Sequence, residues 1–253
     1  MALTRCEAVV VRTYPLGDTS RIAVLYSREF GLVRGVAKGA RGPKSRFGAG
    51  LEPLSVVDVV LYRKDGRDLD LLSKIDVIKD WRASDLARVA HAQAVLEFVD
   101  RLVHEVEPDA RLYDLVRRAL EALAVVPSAA LPSVTLAFQI HASALLGYAL
   151  ECARCAGCGE PPAGRFAPAR GGAVCARCAE GEGQVAFASP AALQGLATLA
   201  ATTSPDALVS TEGALPHAGE MLRLVEFHLR SHVARFSGFR SLAFLFALEG
   251  AAA

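Results

Sequence analysis

Five of the six cysteines lie between positions 152 and 178. Four of them form two Cys-x-x-Cys pairs, Cys155/Cys158 and Cys175/Cys178, separated by sixteen residues. Each pair can grip a cation from two sides, and the interval between them falls in the range of zinc ribbons. Gly159 after the first pair and Gly171-Gly172 before the second supply the backbone freedom that such knuckles need. Four thiolates around Zn²⁺ leave a net charge of about −2, which Arg154 and Arg177 are placed to offset. One structural Zn²⁺ on Cys155, Cys158, Cys175 and Cys178 is therefore expected. With every coordination position filled by protein, such an ion stabilises folding and does not activate water. A redox dithiol, two disulfides, or an iron–sulfur cluster drawing on Cys152 are the alternatives. The plainer reading of Cys152 is a small buried residue where a helix runs into the first knuckle.

A second constellation is the loop Lys38-Gly39-Ala40-Arg41-Gly42-Pro43-Lys44-Ser45-Arg46-Phe47-Gly48, with four cations in nine positions among glycines. Those are the parts with which a small barrel tracks a phosphate chain, with Phe47, Tyr14 or Tyr26 available to stack on bases. Arg12, Arg21 and Arg34 on the preceding strands join Lys38, Arg41, Lys44, Arg46 and Phe47 as the candidate DNA-binding set. A mobile, solvated basic loop is the competing reading. The order Gly-Pro-Lys-Ser departs from a P-loop, which needs Gly-Lys after its spacer and backbone N–H groups that Pro43 lacks, so ATP hydrolysis is not expected. His228 and His232, at i and i+4, could share a metal, but no carboxylate or cysteine motif accompanies them, and an ordinary helix face fits them better. Glu105 and Glu107 read as helix-end solvation. The chain has no G-x-S-x-G, no H-E-x-x-H and no cysteine with an evident partner base. No catalytic residue is assigned, and an enzyme is not expected.

Charge is divided unevenly. The formal net charge is +1, yet residues 1–79 hold 14 Lys and Arg against 9 Asp and Glu, and the first 50 residues hold 9 against 3. The remainder carries 14 against 18. A basic amino-terminal part points to a polyanionic partner. Met1–Glu7 has no apolar h-region, so a secretory signal is not expected, and clustered cysteines then read as metal ligands. From Ala122 to Leu150 there is no Asp, Glu, Lys or Arg, but Pro127, Pro132 and a scatter of Ser, Thr, Gln and His interrupt the run. Val134–Leu146 is better read as the central helix of a soluble core than as a membrane span.

The elements that must position these groups change character near residue 80. Ala8–Thr13, Ile22–Tyr26, Leu32–Lys38, Val56–Tyr62 and Leu69–Ile75 are short, rich in Val, Ile, Leu and Tyr, and bounded by turn formers such as Pro15, Gly17, Gly31 and Asp65-Gly66. A period of two in the third strand puts Arg34, Val36 and Lys38 on one face and Val33, Gly35 and Ala37 on the other. Five strands with a long connection between the third and fourth fit an OB-like barrel, with a sandwich fragment as competitor. Beyond Trp81, 3.6-residue periodicity predicts helices over 86–103, 112–125, 133–147, 191–201 and 218–235, and the closing Gly-Ala-Ala-Ala is expected to fray. The fold class is α+β: a five-stranded OB barrel (1–79), a helical domain (80–151 and 183–253) and an inserted four-cysteine zinc-ribbon-like element (152–182).

With these residues in view, the chain resembles the RecO family of bacterial recombination mediators. The likeness rests on Glu7–Pro15, on the Gly31–Lys38 strand with Gly39-Ala40-Arg41 and Lys44–Phe47, and on Leu146-Gly147-Tyr148 leading to Cys155-x-x-Cys158-Gly159. Phe166, Gly171-Gly172-x-x-Cys175-x-x-Cys178 and Arg240-Ser241-Leu242-x-Phe244-Leu245 complete it. The resemblance implies an OB fold, a helical domain and a zinc element in this order. It further implies binding of single- and double-stranded DNA, annealing without ATP, and work with RecR against the block set by single-strand-binding protein, which helps to load RecA in the RecFOR pathway. A cytoplasmic, nucleoid-associated protein that contacts no membrane is the corresponding expectation. An OB/zinc-ribbon module acting on RNA or in transcription is the alternative.

Overall fold

Small and branched side chains at every second position are what a narrow five-stranded barrel can hold inside. Cys6, Ala8 and Val10, then Ala23 and Leu25, Val33 and Ala37, Val57, Val59 and Leu61, and Leu72 and Ile75 form one buried cluster. The computed structural model describes residues 2–43, 45–63, 68–83, 85–103, 108–202 and 215–251. It divides into two compact units, Met1–Ser84 with Val103–Leu120, and Asp85–Leu102 with Glu121–Ala253. The expected Asp65-Gly66 turn, Lys44 and the Glu105/Glu107 pair lie outside the described residues.

In the first unit, β1 (Ala2–Leu16), β2 (Ser20–Ser27), β3 (Gly31–Ala37), β4 (Val56–Arg63) and β5 (Asp70–Lys79) close into a barrel in the order β1-β2-β3-β5-β4. β1 pairs with β4 through its first half and with β2 through its second, and an irregularity between Val10 and Arg12 re-aims the strand at the corner. Closure is made by a short parallel pairing, Gly35 with Asp70 and Val36 with Leu71. At Gly35 a Cβ would stand 3.1 Å from Leu61 Cδ2, so a side chain there would make Leu61 shift inside the barrel. The first part of α2 (Ala110–Val125) belongs to this unit: the Tyr113 hydroxyl and Arg117 Nη1 donate to Glu7 Oε1 at 2.9 and 2.6 Å. Trp81 Nε1 donates to the Leu120 carbonyl at 2.8 Å.

The connection from β3 to β4 folds back under the barrel through a single 3-10 turn, Gly48–Leu51. It carries Phe47 and Leu51 into the core cluster, and Phe47 is only 3% exposed. The expectation that Phe47 stacks on DNA bases is therefore corrected: a ring that fills the barrel has no face to offer. Tyr26 is likewise buried, its ring centroid 6.0 Å from that of Tyr113. Hydrophobic burial outcompetes display for both rings, because each lies on a face already covered by other apolar groups. Phe47→Ala is expected to destabilise the barrel by about 3 kcal/mol, a core-cavity cost, measured as a lowered urea midpoint; a stacking residue on the surface would leave the midpoint in place.

In the second unit, α1 (Leu86–Leu102), the end of α2, α3 (Leu131–Leu145), α5 (Pro190–Ala201), α6 (Ala218–His232) and α7 (Arg240–Ala251) form the helical body. α3 is buried on nearly all sides, as its uncharged sequence predicts, and its polar groups are answered locally where they can be. Thr135 Oγ1 lies 2.9 Å from His91 Nδ1, and Ser143 Oγ donates to the Gln139 carbonyl at 2.6 Å. Burial takes the pKa of His91 down to about 4, so this histidine is held neutral. The Phe98 ring sits between Phe138 and Phe239, at 5.2 and 6.5 Å. Arg88 is buried with its guanidinium on the carbonyls of Leu123 and Val126, closing the C-terminal end of α2. Glu97 accepts the N–H groups of Arg240 and Ser241 and so starts α7, a helix that periodicity did not announce. This helix runs through Gly250 to Ala251, where fraying is expected from sequence. Among the described residues, no helix is long and apolar enough to cross a membrane.

Candidate metal centre and nucleic-acid interface

The cysteine element is built on a three-stranded sheet in the order β7-β6-β8, from β6 (Arg165–Ala167), β7 (Gly172–Val174) and β8 (Ala186–Phe187), followed in sequence after β7 by the one-turn helix α4 (Ala176–Ala179). The first knuckle is zipped to β7: Ala156 donates to Ala173, Ala173 to Glu151, and Glu151 to the Gly171 carbonyl, at 2.8, 2.8 and 3.0 Å. That zip demands bare backbone, since a Cβ at Gly172 would fall 1.9 Å from the Glu151 oxygen. Gly171 and Gly159 adopt φ of +80° and +77°, the left-handed region open to glycine. Gly157, inside the first knuckle, is the residue that sequence reasoning passed over: a Cβ there would stand 3.0 Å from Cys178 Sγ.

These constraints bring the Sγ atoms of Cys155, Cys158, Cys175 and Cys178 within 4.8 Å of one another. A tetrahedral ion with metal–sulfur bonds near 2.3 Å spaces its sulfurs by about 3.8 Å, and Cys158 Sγ and Cys175 Sγ are 3.7 Å apart. That separation is far beyond a disulfide bond of about 2.05 Å. Backbone N–H groups already point at the sulfurs, Cys175 N at Cys155 Sγ (3.2 Å) and Cys178 N at Cys175 Sγ (3.4 Å). Desolvation pushes the Cys155 thiol up, but the N–H groups of Cys175, Gly157 and Cys158 outweigh it and bring it down to about 6. Hydrogen bonding to Cys158 and Cys175 pushes Cys178 up to about 12. A cluster that holds one thiolate and keeps a proton on another is one in which a divalent cation can replace that proton. The donor set fits a metal ion.

Arg177 stands against Cys158 and feels Cys175 and Cys178, as its position predicts. A second guanidinium with the same influence is Arg170, which reaches Cys178 and Cys155 while tied to Glu182 at 2.5 Å. No local signal marks Arg170, because its placement depends on a partner twelve residues away. Cys152 is buried and stands outside the four-sulfur group; burial pushes its thiol up to about 12. His228 and His232 have ring centroids 4.5 Å apart, but their Nε2 atoms are engaged by the carbonyls of Tyr148 (3.1 Å) and Pro168 (2.9 Å). The pair serves packing.

On the barrel, side chains of β3 alternate as expected, with Val33, Gly35 and Ala37 buried and Arg34 and Lys38 exposed. Register places Arg12 and Arg34 on either side of Val24 in one cross-strand row, and Arg21 opposite Ala37, next to Lys38. The Arg12 guanidinium lies over the half-buried Tyr14 ring at 5.3 Å. The basic loop is fastened to the β1–β2 turn, with Arg41 N donating to the Thr19 carbonyl and Arg41 Nη1 to that of Gly17, both at 2.9 Å. The Arg46 guanidinium lies over the Phe47 ring, 5.1 Å from its centroid, so the buried ring positions a cation instead of stacking on a base. Among the described residues, no carboxylate forms an ion pair with Arg21, Arg34, Lys38, Arg41 or Arg46. The structure thus gathers Arg21, Lys38 and Arg41 at the end of the barrel that bears the β1–β2 turn, with Arg12 and Arg34 along the adjoining strands.

Comparison with known proteins matches residues 1–81 to the model of the Recombination protein O N-terminal region and residues 83–243 to that of its C-terminal region. A protein named DNA repair protein RecO from Streptomyces griseus subsp. griseus is 35% identical over 255 residues, covering 97% of this chain and 99% of that protein. A protein of the same name from Streptomyces coelicolor is 36% identical over the same shares of the two chains.

Proposed function

The chain belongs to the RecO family of DNA repair and recombination proteins, and from that premise we propose that it is a mediator and not an enzyme. It binds single- and double-stranded DNA through the amino-terminal barrel, anneals complementary strands without ATP, and works with RecR to relieve the block of single-strand-binding protein and help load RecA. The cytoplasm, at the nucleoid, is where it acts.

The observation that carries this reading is the set of cations that no carboxylate among the described residues pairs with, Arg21, Arg34, Lys38, Arg41 and Arg46, on one strand-and-loop system of the barrel. Annealing must bring two polyanions together. A surface that replaces condensed counterions lowers that repulsion, and contacts made to phosphates leave the base edges free to pair. Arg12 over Tyr14 adds an aromatic face at the border of the same surface. The ion assigned to the four cysteines is Zn²⁺, suited to four soft thiolates whose sulfurs lie within 4.8 Å of one another; when bound it supplies cross-linking of the two knuckles, and no reaction step passes through it.

The test is strand annealing by purified protein without nucleotide, at 50 and 200 mM salt, with and without RecR and with an RNA competitor. Annealing well above the spontaneous rate at low salt, suppressed at high salt, is expected. A protein that leaves the rate unchanged at both salts, or that prefers RNA to DNA in competition, overturns the proposal.

A further inference from the structure

Phe187 ends strand β8 and is 79% exposed, more than any other large apolar side chain among the described residues. An aromatic ring left in water forgoes burial worth roughly 2 kcal/mol; a single exposed ring is ordinary on a protein surface, and what distinguishes this one is the set of cations beside it. The strand register sets Phe187 directly opposite Arg165 on β6, so both side chains rise from the same face of the small sheet. The ring lines two open grooves. One, of about 300 Å³, is lined by Ala163, Gly164, Arg165 and Val185. The other, of about 480 Å³, is lined by Arg223, Leu224, Phe227 and Glu220.

Charge decides what those grooves suit. Arg165 and Arg223 are exposed cations. The carboxylate of the larger groove, Glu220, accepts the N–H and hydroxyl of Ser189 at 2.7 Å and also attracts His217, at 3.6 Å, and Arg223, so Arg165 is the better placed of the two cations to meet a phosphate. The ridge therefore presents an exposed aromatic ring beside two guanidiniums, Arg165 opposite it on β6 and Arg223 lining the same groove. An unpaired base can stack on the ring while the arginines meet the flanking phosphates, the composition of a single-strand stacking platform. The ridge is also firmly based. Ala188 N donates to Gly164 O at 3.0 Å, and Val185, two residues before Phe187, packs with Ala167 and Val174 against Cys155, Cys175 and Cys178.

We infer that Phe187, with Arg165 and Arg223, forms a second contact for single-stranded DNA, separate from the barrel, in which an unpaired base stacks on the ring. This rests on the DNA-binding reading above and deepens it by assigning a base-stacking contact to the cysteine element and α6.

The experiment compares the full-length parent, Phe187→Ala and Phe187→Trp on three probes: a labelled dT20, an abasic strand of equal length, and a duplex. Phe187→Ala is expected to weaken dT20 binding roughly tenfold with unchanged affinity for the abasic strand and the duplex, and unchanged circular dichroism. The parent has one tryptophan, Trp81, so the added emission of Phe187→Trp can be isolated; dT20 should quench it and the abasic strand should not. Arg165→Ala should reduce the salt slope of single-strand binding by about 0.7, one phosphate contact. Equal dT20 affinity in parent and Phe187→Ala, with no quenching in Phe187→Trp, overturns the inference. So does a loss that extends equally to the abasic strand, or a Phe187→Ala protein that binds DNA normally and loses RecR instead. Neutralising the barrel cations is a separate measurement, so failure of the barrel reading and failure of this one are told apart.

Discussion

A Cys175→Ser/Cys178→Ser protein should contain almost no zinc, against about one equivalent in the parent, and should lose the ordered structure of the cysteine element. The expected size follows from what else holds that element. Its three strands contain three, three and two residues; the cluster around the sulfurs buries Cys155, Ala167 and Val174, and Phe166 is buried against His228 of α6. Three strands of that length, with so small an apolar core, are not independently stable. The ion must therefore provide most of the local order, and structural zinc contributes about 10–16 kcal/mol of apparent binding energy in small metal-dependent domains at neutral pH. The helical body has its own core around α3 and Phe98, so helical circular dichroism should largely survive. Metal analysis and limited proteolysis check the two halves of the expectation: new cleavage between about residues 152 and 188 beside an intact body. A double mutant that retains its zinc and resists cleavage would remove these cysteines from the ligand set. Metal retention should weaken as pH falls, because every ligand must be a thiolate. Cys178, held protonated by its neighbours in the bare cluster, must release its proton when the ion binds.

Replacing Lys38, Arg41, Lys44 and Arg46 with Ala should weaken single-strand binding by several hundredfold at about 0.1 M salt. Each phosphate contact contributes a slope of about −0.7 in log affinity against log salt. Four lost contacts therefore remove about 2.8 units of slope, or about 2.8 log units of affinity across the decade between 1 M and 0.1 M. Fluorescence anisotropy at four salt concentrations gives both quantities in one titration. Arg41 also anchors the loop to the β1–β2 turn through the Gly17 carbonyl, so Arg41→Lys with the other three changed separates lost charge from a lost anchor. Affinity and slope equal to the parent's would show that the strand does not run here.

How legible these features are in the sequence depends on the range of the physics behind them. The alternation of β3 is legible because it is imposed by the strand itself: Arg34 outward, Val33, Gly35 and Ala37 inward, with Val36 half-buried and Lys38 exposed just past the strand's end. The cysteine spacing is equally local within each knuckle, and glycines at 159, 171 and 172 mark where the backbone must turn or approach. α3 is legible because a long uncharged stretch has few places to be other than a core. Phe47 is not legible. It follows a run of cations and looks like part of their display, and only the return of the loop beneath the barrel, with Leu51 beside it, makes burial the lower free energy. α7 escapes notice because its start is set by Glu97, 143 residues earlier.

The order of elements, the inward and outward faces of the strands, the thiolate chemistry and the basic amino-terminal third are thus properties of the chain as written. They arise from interactions between near neighbours, which any conformation close to the native one preserves. Which rings are buried and which are offered to a partner, which arginines face the sulfurs, and where the loop cations are held are decided only when distant segments close on one another. Those choices turn on the removal of surface from water and on the pairing of charges across the fold, and neither exists until the packing does.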